Sequence, residues 1–241
     1  MTDVRIGTWA ARSEGDSGFT IATLDGLFGG VQAKGRTVSR EGADGDFEVP
    51  SNLDARTVQV AGKCFADSAE ALDHLSDQLT GLFGSGMKRR VVFDGPKVTW
   101  ADGKLARGTA PQFTPVVWGR IAEWSLAIQF ADPRRFGESR VFASGIPAFH
   151  YGNFPAAPVF TITGARSGYT IPGPSGRSYV VTRAISGSEV HTVDMNDGLL
   201  RVNGAVVFGG VSQADTWAIP GGATVTHTLA GLVTRVTDTF V

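Results

Sequence analysis

Residues 121–137 of the chain read IAEWSLAIQFADPRRFG. Their large apolar side chains recur at every second position: Trp124, Leu126, Ile128 and Phe130. Because successive side chains of a β-strand point to opposite faces of a sheet, this alternation predicts a half-buried strand. Proline has no N–H for a sheet ladder, so Asp132-Pro133 ends the strand. Because a helix and strands precede this point and only strands and turns follow it, we predict that one domain closes here.

The order of the predicted elements indicates a mainly β chain with two domains. The first domain, residues 1–140, is predicted to be a β-sandwich or split-barrel-like fold with one packed α-helix. The second, residues 146–241, contains short strands separated by turns at intervals of about 8–12 residues, which is typical of a β-sandwich or jelly roll. Its clearest hairpin turns at Asn203-Gly204, a pair that suits a type I′ turn. Four residues are predicted to form the interdomain hinge: Asp132, Pro133, Gly137 and Gly145.

One helix is predicted, at about residues 67–83. Asp67 and Glu70 have the spacing of a capping box, in which Asp67 accepts hydrogen bonds from first-turn amides and Glu70 reaches back. Gly81 and Gly84 supply the C-terminal stop. Leucines recur in steps of three and four residues, which predicts one apolar stripe facing a sheet: Leu72, Leu75, Leu79 and Leu82.

Residues 29–50 read GGVQAKGRTVSREGADGDFEVP. Apolar residues are sparse and glycines recur among charges, which predicts a long exposed excursion. Loops longer than about 12–15 residues in compact domains are usually functional or mobile. Two interpretations of this segment stay open, a protein–protein contact arm and a mobile loop.

Composition excludes several classes of function. The chain carries 22 Lys and Arg against 23 Asp and Glu, so no overall field attracts it to nucleic acid or to an anionic membrane. The single cysteine, Cys64, excludes an internal disulfide and a cysteine-based metal cluster, and its place in an apolar alternation predicts a buried thiol. The N-terminus lacks the apolar core of a signal peptide, and no stretch approaches the roughly 18 apolar residues of a membrane span. We therefore expect a chain that folds in the cytoplasm and has no membrane span.

No pattern of catalytic, cofactor-binding or metal-binding residues stands out. The segment 81–88, GLFGSGMK, resembles a phosphate-binding loop but closes a helix instead of opening one. The segment 173–177, GPSGR, lacks the last glycine of a nucleophile elbow. The histidines have no ligand spacing such as i, i+4: His74, His150, His191 and His227. We therefore predict no catalytic residue, no cofactor and no metal.

Several segments carry a resemblance to a known family. They are LDGLFGG (24–30), GRTVSREGADG (35–45), ADPRRFG (131–137), GNFPAAPVFTITG (152–164), DMNDGLLRVNG (194–204) and WAIPGG (217–222). In this order they resemble the distal tail proteins of long-tailed bacteriophages and related minor tail proteins. The resemblance spans nearly the whole chain.

This resemblance implies a ring, typically of six subunits, that joins the last ring of the tail tube to the tip or baseplate hub. The N-terminal domain would form the ring, and a galectin-like C-terminal sandwich would project outward. Such a protein is a virion component at the tail tip, is assembled in the host cytoplasm and makes no sequence-specific contact with nucleic acid. The excursion is the candidate for an arm that orders on a neighbouring subunit, through these predicted oligomer contacts: Gly29, Gly30, Val31, Lys34, Arg36, Arg40 and Phe47.

The leading hypothesis is therefore a non-enzymatic structural protein of the phage tail tip, which acts by self-assembly and by docking to tube and hub proteins. The alternative is a carbohydrate-binding module, in which exposed rings such as Tyr151 or Tyr169 bind host-surface sugars. Trp217 is predicted to belong to the core, since a sandwich needs large side chains between its sheets. A third hypothesis, a hydrolase built on the sandwich, needs a carboxylate pair that only the fold can bring together.

Overall fold

The computed structural model describes residues 2–35, 37–117 and 119–241. The chain divides into two compact units, the first ending at Arg135 and the second running from Phe136 to Phe240. Regular structure is almost all strand, with one α-helix in the described residues, and this confirms the predicted mainly β fold.

In the described part of the first unit there are twelve strands and the helix. The strands are β1 (Asp3–Ile6), β2 (Trp9–Arg12), β3 (Gly18–Asp25), β4 (Ala33–Lys34), β5 (Val38–Ser39), β6 (Asp46–Phe47), β7 (Asn52–Leu53), β8 (Arg56–Phe65), β9 (Arg89–Asp94), β10 (Thr99–Leu105), β11 (Gln112–Val117) and β12 (Ile121–Phe130). The sequence pattern predicts one strand from Val4 to Trp9, and this is wrong. Gly7 adopts φ +62° and turns the chain back, so that β1 and β2 form a hairpin.

Eight of these strands form one sheet in the order β11-β12-β8-β3-β2-β1-β9-β10. β10 also pairs with β12, with Leu105 opposite Ile128, so the sheet closes on itself as a split barrel. The length of β12 allows this closure. One edge of β12 pairs with β8 along all ten residues, whereas the other edge is shared between β11 and β10.

The core of the first unit contains the alternating side chains of β12. All four predicted residues are buried: Trp124, Leu126, Ile128 and Phe130. Trp124 packs edge-on against Trp9 and Phe19, with ring centroids 5.6 and 5.5 Å away. Its indole N–H points at the carbonyl oxygens of Thr20 and Lys63, each 3.1 Å away. The central indole is therefore both packed and hydrogen-bonded, as a buried tryptophan requires.

The helix α1 (Ala69–Gly81) packs its leucine stripe into the same core. The predicted capping box is wrong, because Ser68 and not Asp67 is the N-cap. The Ser68 hydroxyl accepts a hydrogen bond from the Ala71 N–H at 3.1 Å, and alanine at that position has no side chain to return one. Glu70 instead lies in the first turn, where a negative charge is favourable beside the helix N-terminus.

Gly103 lies where β10 meets β12, and closure of the barrel depends on its missing side chain. An added Cβ would lie 2.6 Å from the Phe130 ring and 2.7 Å from the Ile128 side chain. We expect Gly103→Ala to lower the free energy of unfolding by about 1–3 kcal/mol, because the core must be pushed apart. The matched control is Gly81→Ala, where the new methyl meets open space at the end of α1. Denaturant unfolding of both variants tests this, and equal unfolding free energies would contradict it.

The second unit consists of strands that form two larger sheets and one small ladder. The strands are β13 (Arg135–Ala143), β14 (Pro147–Phe149), β15 (Val159–Ile162), β16 (Tyr169–Pro172), β17 (Ser178–Val181), β18 (His191–Asp194), β19 (Leu199–Val202), β20 (Ala205–Val206), β21 (Val211–Ala214), β22 (Thr224–Thr226) and β23 (Leu232–Phe240). One sheet has the order β13-β23-β15-β18-β19-β20, another has the order β16-β17-β21, and β14 pairs with β22. Side chains of both larger sheets share one core that includes Phe160, Tyr179 and Trp217, so the unit is a β-sandwich.

Two features of the second unit bear on the predicted boundaries and turns. The division between the units falls at the start of β13, five residues before residue 140, because β13 forms a ladder with β23.

The hairpin of β19 and β20 turns at Asn203 and Gly204, which both adopt positive φ, +49° and +86°. This is the backbone that a type I′ turn needs, and it confirms the predicted hairpin.

Candidate assembly surface

Residues 31–35 and 37–54 form a two-stranded hairpin, hereafter the arm. Its lower ladder pairs β4 with β7, and its upper ladder pairs β5 with β6. The Asp54 N–H donates to the Gln32 carbonyl at 2.9 Å, and the Arg40 N–H donates to the Gly45 carbonyl at 3.3 Å. The segment is an exposed hairpin with two short ladders. Both interpretations of it, a protein–protein contact arm and a mobile loop, stay open.

Large apolar side chains are exposed on the arm and at its root. Phe28 at the root is 73% exposed, and Phe47 on β6 is 55% exposed. Val38 and Val49 are also exposed, so the arm buries almost no apolar surface of its own. The guanidinium of Arg40 lies 5.3 Å from the centre of the Phe47 ring, which covers only one side of it. A segment with several exposed large apolar side chains is a candidate for contact with another protein.

The root of the arm is held by Arg56, the first residue of β8. Arg56 is 4% exposed, and its guanidinium donates to four backbone carbonyls. Nη1 donates to Gly26, Leu27 and Gly29 at 2.6, 3.0 and 3.1 Å, and Nε donates to Pro133 at 3.1 Å. The turn before the arm is thereby fixed to the end of β12. Gly26 permits this approach, since it adopts φ +80° and a Cβ there would lie 2.2 Å from the Thr57 carbonyl oxygen.

The predicted oligomer contacts fall into two groups. The first group lies at the root of the arm and consists of Gly29, Gly30 and Val31. The Gly29 carbonyl accepts a hydrogen bond from Arg56. Gly30 and Val31 line a pocket together with Arg56. Three others lie on the arm: Lys34 in β4, Arg40 after β5 and Phe47 in β6. Arg36 is outside the described residues. Their role in a subunit contact stays a prediction.

The predicted hinge residues lie in different settings. Asp132 and Pro133 form a turn in which the Asp132 carboxylate accepts hydrogen bonds from the backbone and the guanidinium of Arg134. Gly137 lies inside β13, where a Cβ would be 2.9 Å from a phenylalanine ring. Gly145 turns the chain after β13 with φ +80°. A hinge at these positions stays a prediction.

Two further surfaces are unpaired in the described residues. β11 is the last strand of its sheet and exposes Val116 and Val117, so its outer edge is open to strand addition. In the second unit, β20 is the last strand of its sheet, and Phe208 just beyond it is 89% exposed. Sequence reasoning missed both surfaces, although the apolar run at 116–117 and the phenylalanine before Gly209-Gly210 are visible in the sequence.

Asp238 and His150 are buried polar groups of the second unit, and both form hydrogen bonds within the fold. Asp238 accepts from the Arg140 guanidinium at 2.8 Å and from the Tyr151 N–H at 2.9 Å. Nε2 of the buried His150 lies 2.6 Å from the Phe154 carbonyl oxygen, and Nδ1 accepts from the Gly152 N–H at 3.3 Å. Both nitrogens of this imidazole are therefore engaged within the fold.

Three further candidates for chemistry are buried: His191, His227 and Cys64. Burial lowers the pKa of His227 to about 4, and the pKa of His191 is lowered mainly by burial. Cys64 is buried as predicted, and burial raises the pKa of its thiol to about 11, which makes it a poor nucleophile at neutral pH. Among the described residues, no three His, Cys, Asp or Glu side chains are grouped to hold a metal ion.

The aromatic residues of the carbohydrate-binding alternative separate into buried and exposed side chains. Trp217 is buried in the core, as predicted. Tyr169 is also buried, and its hydroxyl lies 3.1 Å from His191 Nδ1, so its proposed role in sugar stacking is wrong. Tyr151 is 58% exposed, but the Arg140 guanidinium lies 4.3 Å from its ring centre. The alternative therefore depends on the Tyr151 ring, of which one face is already occupied.

Three solved structures of phage proteins have a similar fold. The chain is similar to the SPP1 Dit protein (gp 19.1), described as a paradigm of the hub adsorption apparatus of phages that infect Gram-positive bacteria, with a TM-score of 0.80, 14% identity and full coverage of both chains. The chain has the fold of a phage distal tail protein. The resemblance inferred from the sequence is thereby confirmed at the level of the fold.

Two structures of the phage p2 baseplate in its activated conformation contain similar chains. One, with Sr, gives a TM-score of 0.54 at 11% identity, covering 98% of each chain. The other, with Ca, gives a TM-score of 0.53 at 9% identity, covering 98% of this chain and 97% of the other. No protein-family model and no curated protein sequence matches the chain. Among the described residues, no helix has the length and apolar character to cross a bilayer.

Proposed function

We propose that the protein is a structural component of the phage tail tip, in which six copies close into a ring between the tail tube and the tip or baseplate hub. The likeness to the SPP1 Dit protein along the whole chain supports this proposal. In it, the protein acts by assembly and not by catalysis, belongs to the virion and is assembled in the host cytoplasm. Its partners are further copies of itself, the tail-tube protein and the hub protein.

The single observation that carries the proposal is the apolar surface of the arm. Phe28, Val38, Phe47 and Val49 are exposed on one chain, and their burial against another copy is favourable by about 25 cal/mol per Å² of apolar area. An arm that contacts a different surface of its neighbour forms a heterologous interface, and such an interface closes into a ring when its rotation allows. The open edge of β11 offers a second surface of the same unit for this contact.

The mass of the purified protein in solution tests the proposal. Six subunits of 25.4 kDa give about 152 kDa, which light scattering separates readily from a monomer. Annular particles in negative-stain images of the same sample are expected. A monomer at every concentration, both alone and after mixing with the tail-tube and hub proteins, would contradict the ring.

A further inference from the structure

A pocket of about 510 Å³ opens at the C-terminal end of α1 and is called the α1 pocket. It lies between the β1–β2 hairpin, the end of α1 and Arg89 at the start of β9. Ile6, Trp9 and Leu82 contribute its apolar lining, and all three belong to the core of the first unit. The volume lies within the range of ligand pockets, roughly 300–1,000 Å³, so the α1 pocket can receive a large side chain from another molecule.

Two exposed charges, Asp77 and Arg89, also line the α1 pocket. Asp77 lies one turn before the end of α1, and the last turn of the helix has no basic residue. Because the last carbonyls of a helix carry partial negative charge, this end of α1 favours a cation. Within the described part of the chain, neither Asp77 nor Arg89 forms an ion pair. The pocket therefore offers one charge of each sign beside an apolar lining.

One face of the arm's upper ladder carries complementary groups. Val38 pairs with Phe47, and both side chains are exposed. Arg40 follows Val38 by two residues and so lies on the same face, with its guanidinium 5.3 Å from the centre of the Phe47 ring. Glu48, the residue after Phe47, is an exposed acid. The arm therefore presents an aromatic ring with a cation beside it and an anion next in the chain.

We propose that the α1 pocket of one subunit receives the arm of the next subunit. The inference rests on the proposed ring and names the surface on which the arm docks. In this contact, Phe47 fills the apolar part of the pocket, and Arg40 binds Asp77 and the carbonyl end of α1. Glu48 then lies on the side of Arg89, so that each charge meets one of opposite sign.

A second copy of the chain suits the α1 pocket for two further reasons. The arm and the pocket are different surfaces of the first unit, so their contact is heterologous and can close into a ring. Aromatic residues and arginine, which the arm presents together, are enriched in protein interfaces. The open edge of β11 is a poorer acceptor for the arm, because Pro115 within it has no N–H to give to an added strand.

Charge reversal at the proposed Arg40–Asp77 pair tests the inference by light scattering of the full chain, under conditions in which the wild type is annular. The variants are Arg40→Asp, Asp77→Arg and the two combined. The matched control is Asp16→Arg, which reverses an exposed acid of the same unit outside the pocket. We expect each single reversal to weaken the contact at least about tenfold and to give the 25.4 kDa monomer. The double variant and the control are expected to form the ring of about 152 kDa.

The outcomes separate failure of the docking site from failure of the ring. A ring that survives Asp77→Arg overturns the docking site and leaves the ring standing. A double variant that is folded by circular dichroism but stays monomeric overturns the pairing of Arg40 with Asp77. A wild type that is monomeric at every concentration, even with the tube and hub proteins, contradicts the ring and with it the docking site. Asp77→Asn takes the place of Asp77→Arg if the reversal does not fold.

Discussion

Replacing Phe47 by aspartate is expected to convert the proposed ring of about 152 kDa into a monomer of 25.4 kDa. Phe47 is the large aromatic side chain of the arm's upper ladder, and Arg40 lies against its ring. A buried aromatic anchor in an interface commonly contributes 2 kcal/mol or more, and a charge in its place is desolvated without a partner. Each contact would then weaken by at least about 30-fold, and a closed ring depends on all its contacts.

The control for this experiment is Phe208→Asp in the second unit. Phe208 is more exposed than Phe47, so both substitutions replace an exposed phenylalanine with the same charge. We expect Phe208→Asp to leave the ring intact, because the arm belongs to the first unit. Light scattering and circular dichroism of the two variants separate loss of assembly from loss of fold. A Phe47→Asp protein that remains annular would show that the arm does not carry the contact.

The sequence predicted the regular parts of this fold because their patterns are local. The alternation in β12 and the leucine stripe of α1 each need only neighbours two to four positions away. Closure of the barrel was not predictable in the same way, since the pairing of Leu105 with Ile128 and the empty space at Gly103 depend on contacts between distant residues. The hairpin at Gly7 was missed because a single glycine in an apolar run carries little turn signal.

The sequence predicted that the candidate surface is exposed, but it did not predict the buried contacts that hold its root. Glycines and charges in residues 29–50 indicated exposure, which the arm confirms. No local pattern predicts that Arg56 is buried, because an arginine at the start of a strand is usually solvated. Its burial follows from four carbonyls that converge from positions 26–29 and 133, which are far apart in the chain. Convergence of this kind is visible only once the strands are in place.

Stability of the second unit is expected to fall as the pH is lowered from 6.5 to about 4, because of His227. The Trp217 N–H donates to His227 Nε2 at 3.1 Å, and the imidazole packs edge-on against Phe160. Burial lowers the pKa of His227 to about 4, from an ordinary value of 6.5. Its contribution is therefore fully present above pH 6.5, where both states are neutral. It is lost between 6.5 and 4, where the unfolded chain binds a proton that the folded chain excludes.

The size of this effect follows from the pKa shift. Each pH unit between the two values changes the free energy of unfolding by about 1.4 kcal/mol, so the total loss approaches roughly 3 kcal/mol by pH 4. The acids whose pKa is lowered by hydrogen bonds, such as Asp197 and Asp215, act in a different range. Their contribution is present above the ordinary carboxyl pKa and is lost as the pH falls further. The interval between pH 6.5 and 4 therefore reports mainly on histidine.

His227→Gln isolates the effect, because the glutamine amide oxygen can accept the Trp217 N–H but does not titrate. We expect denaturant unfolding of this variant to show a slope against pH that is smaller than that of the wild type by about one proton in this interval. The control is His74→Gln on α1, where the imidazole is exposed, and it should reproduce the wild-type profile. Parallel profiles for His227→Gln and the wild type would show that His227 is not held neutral. The fold would then have to admit a charge between Trp217 and Phe160.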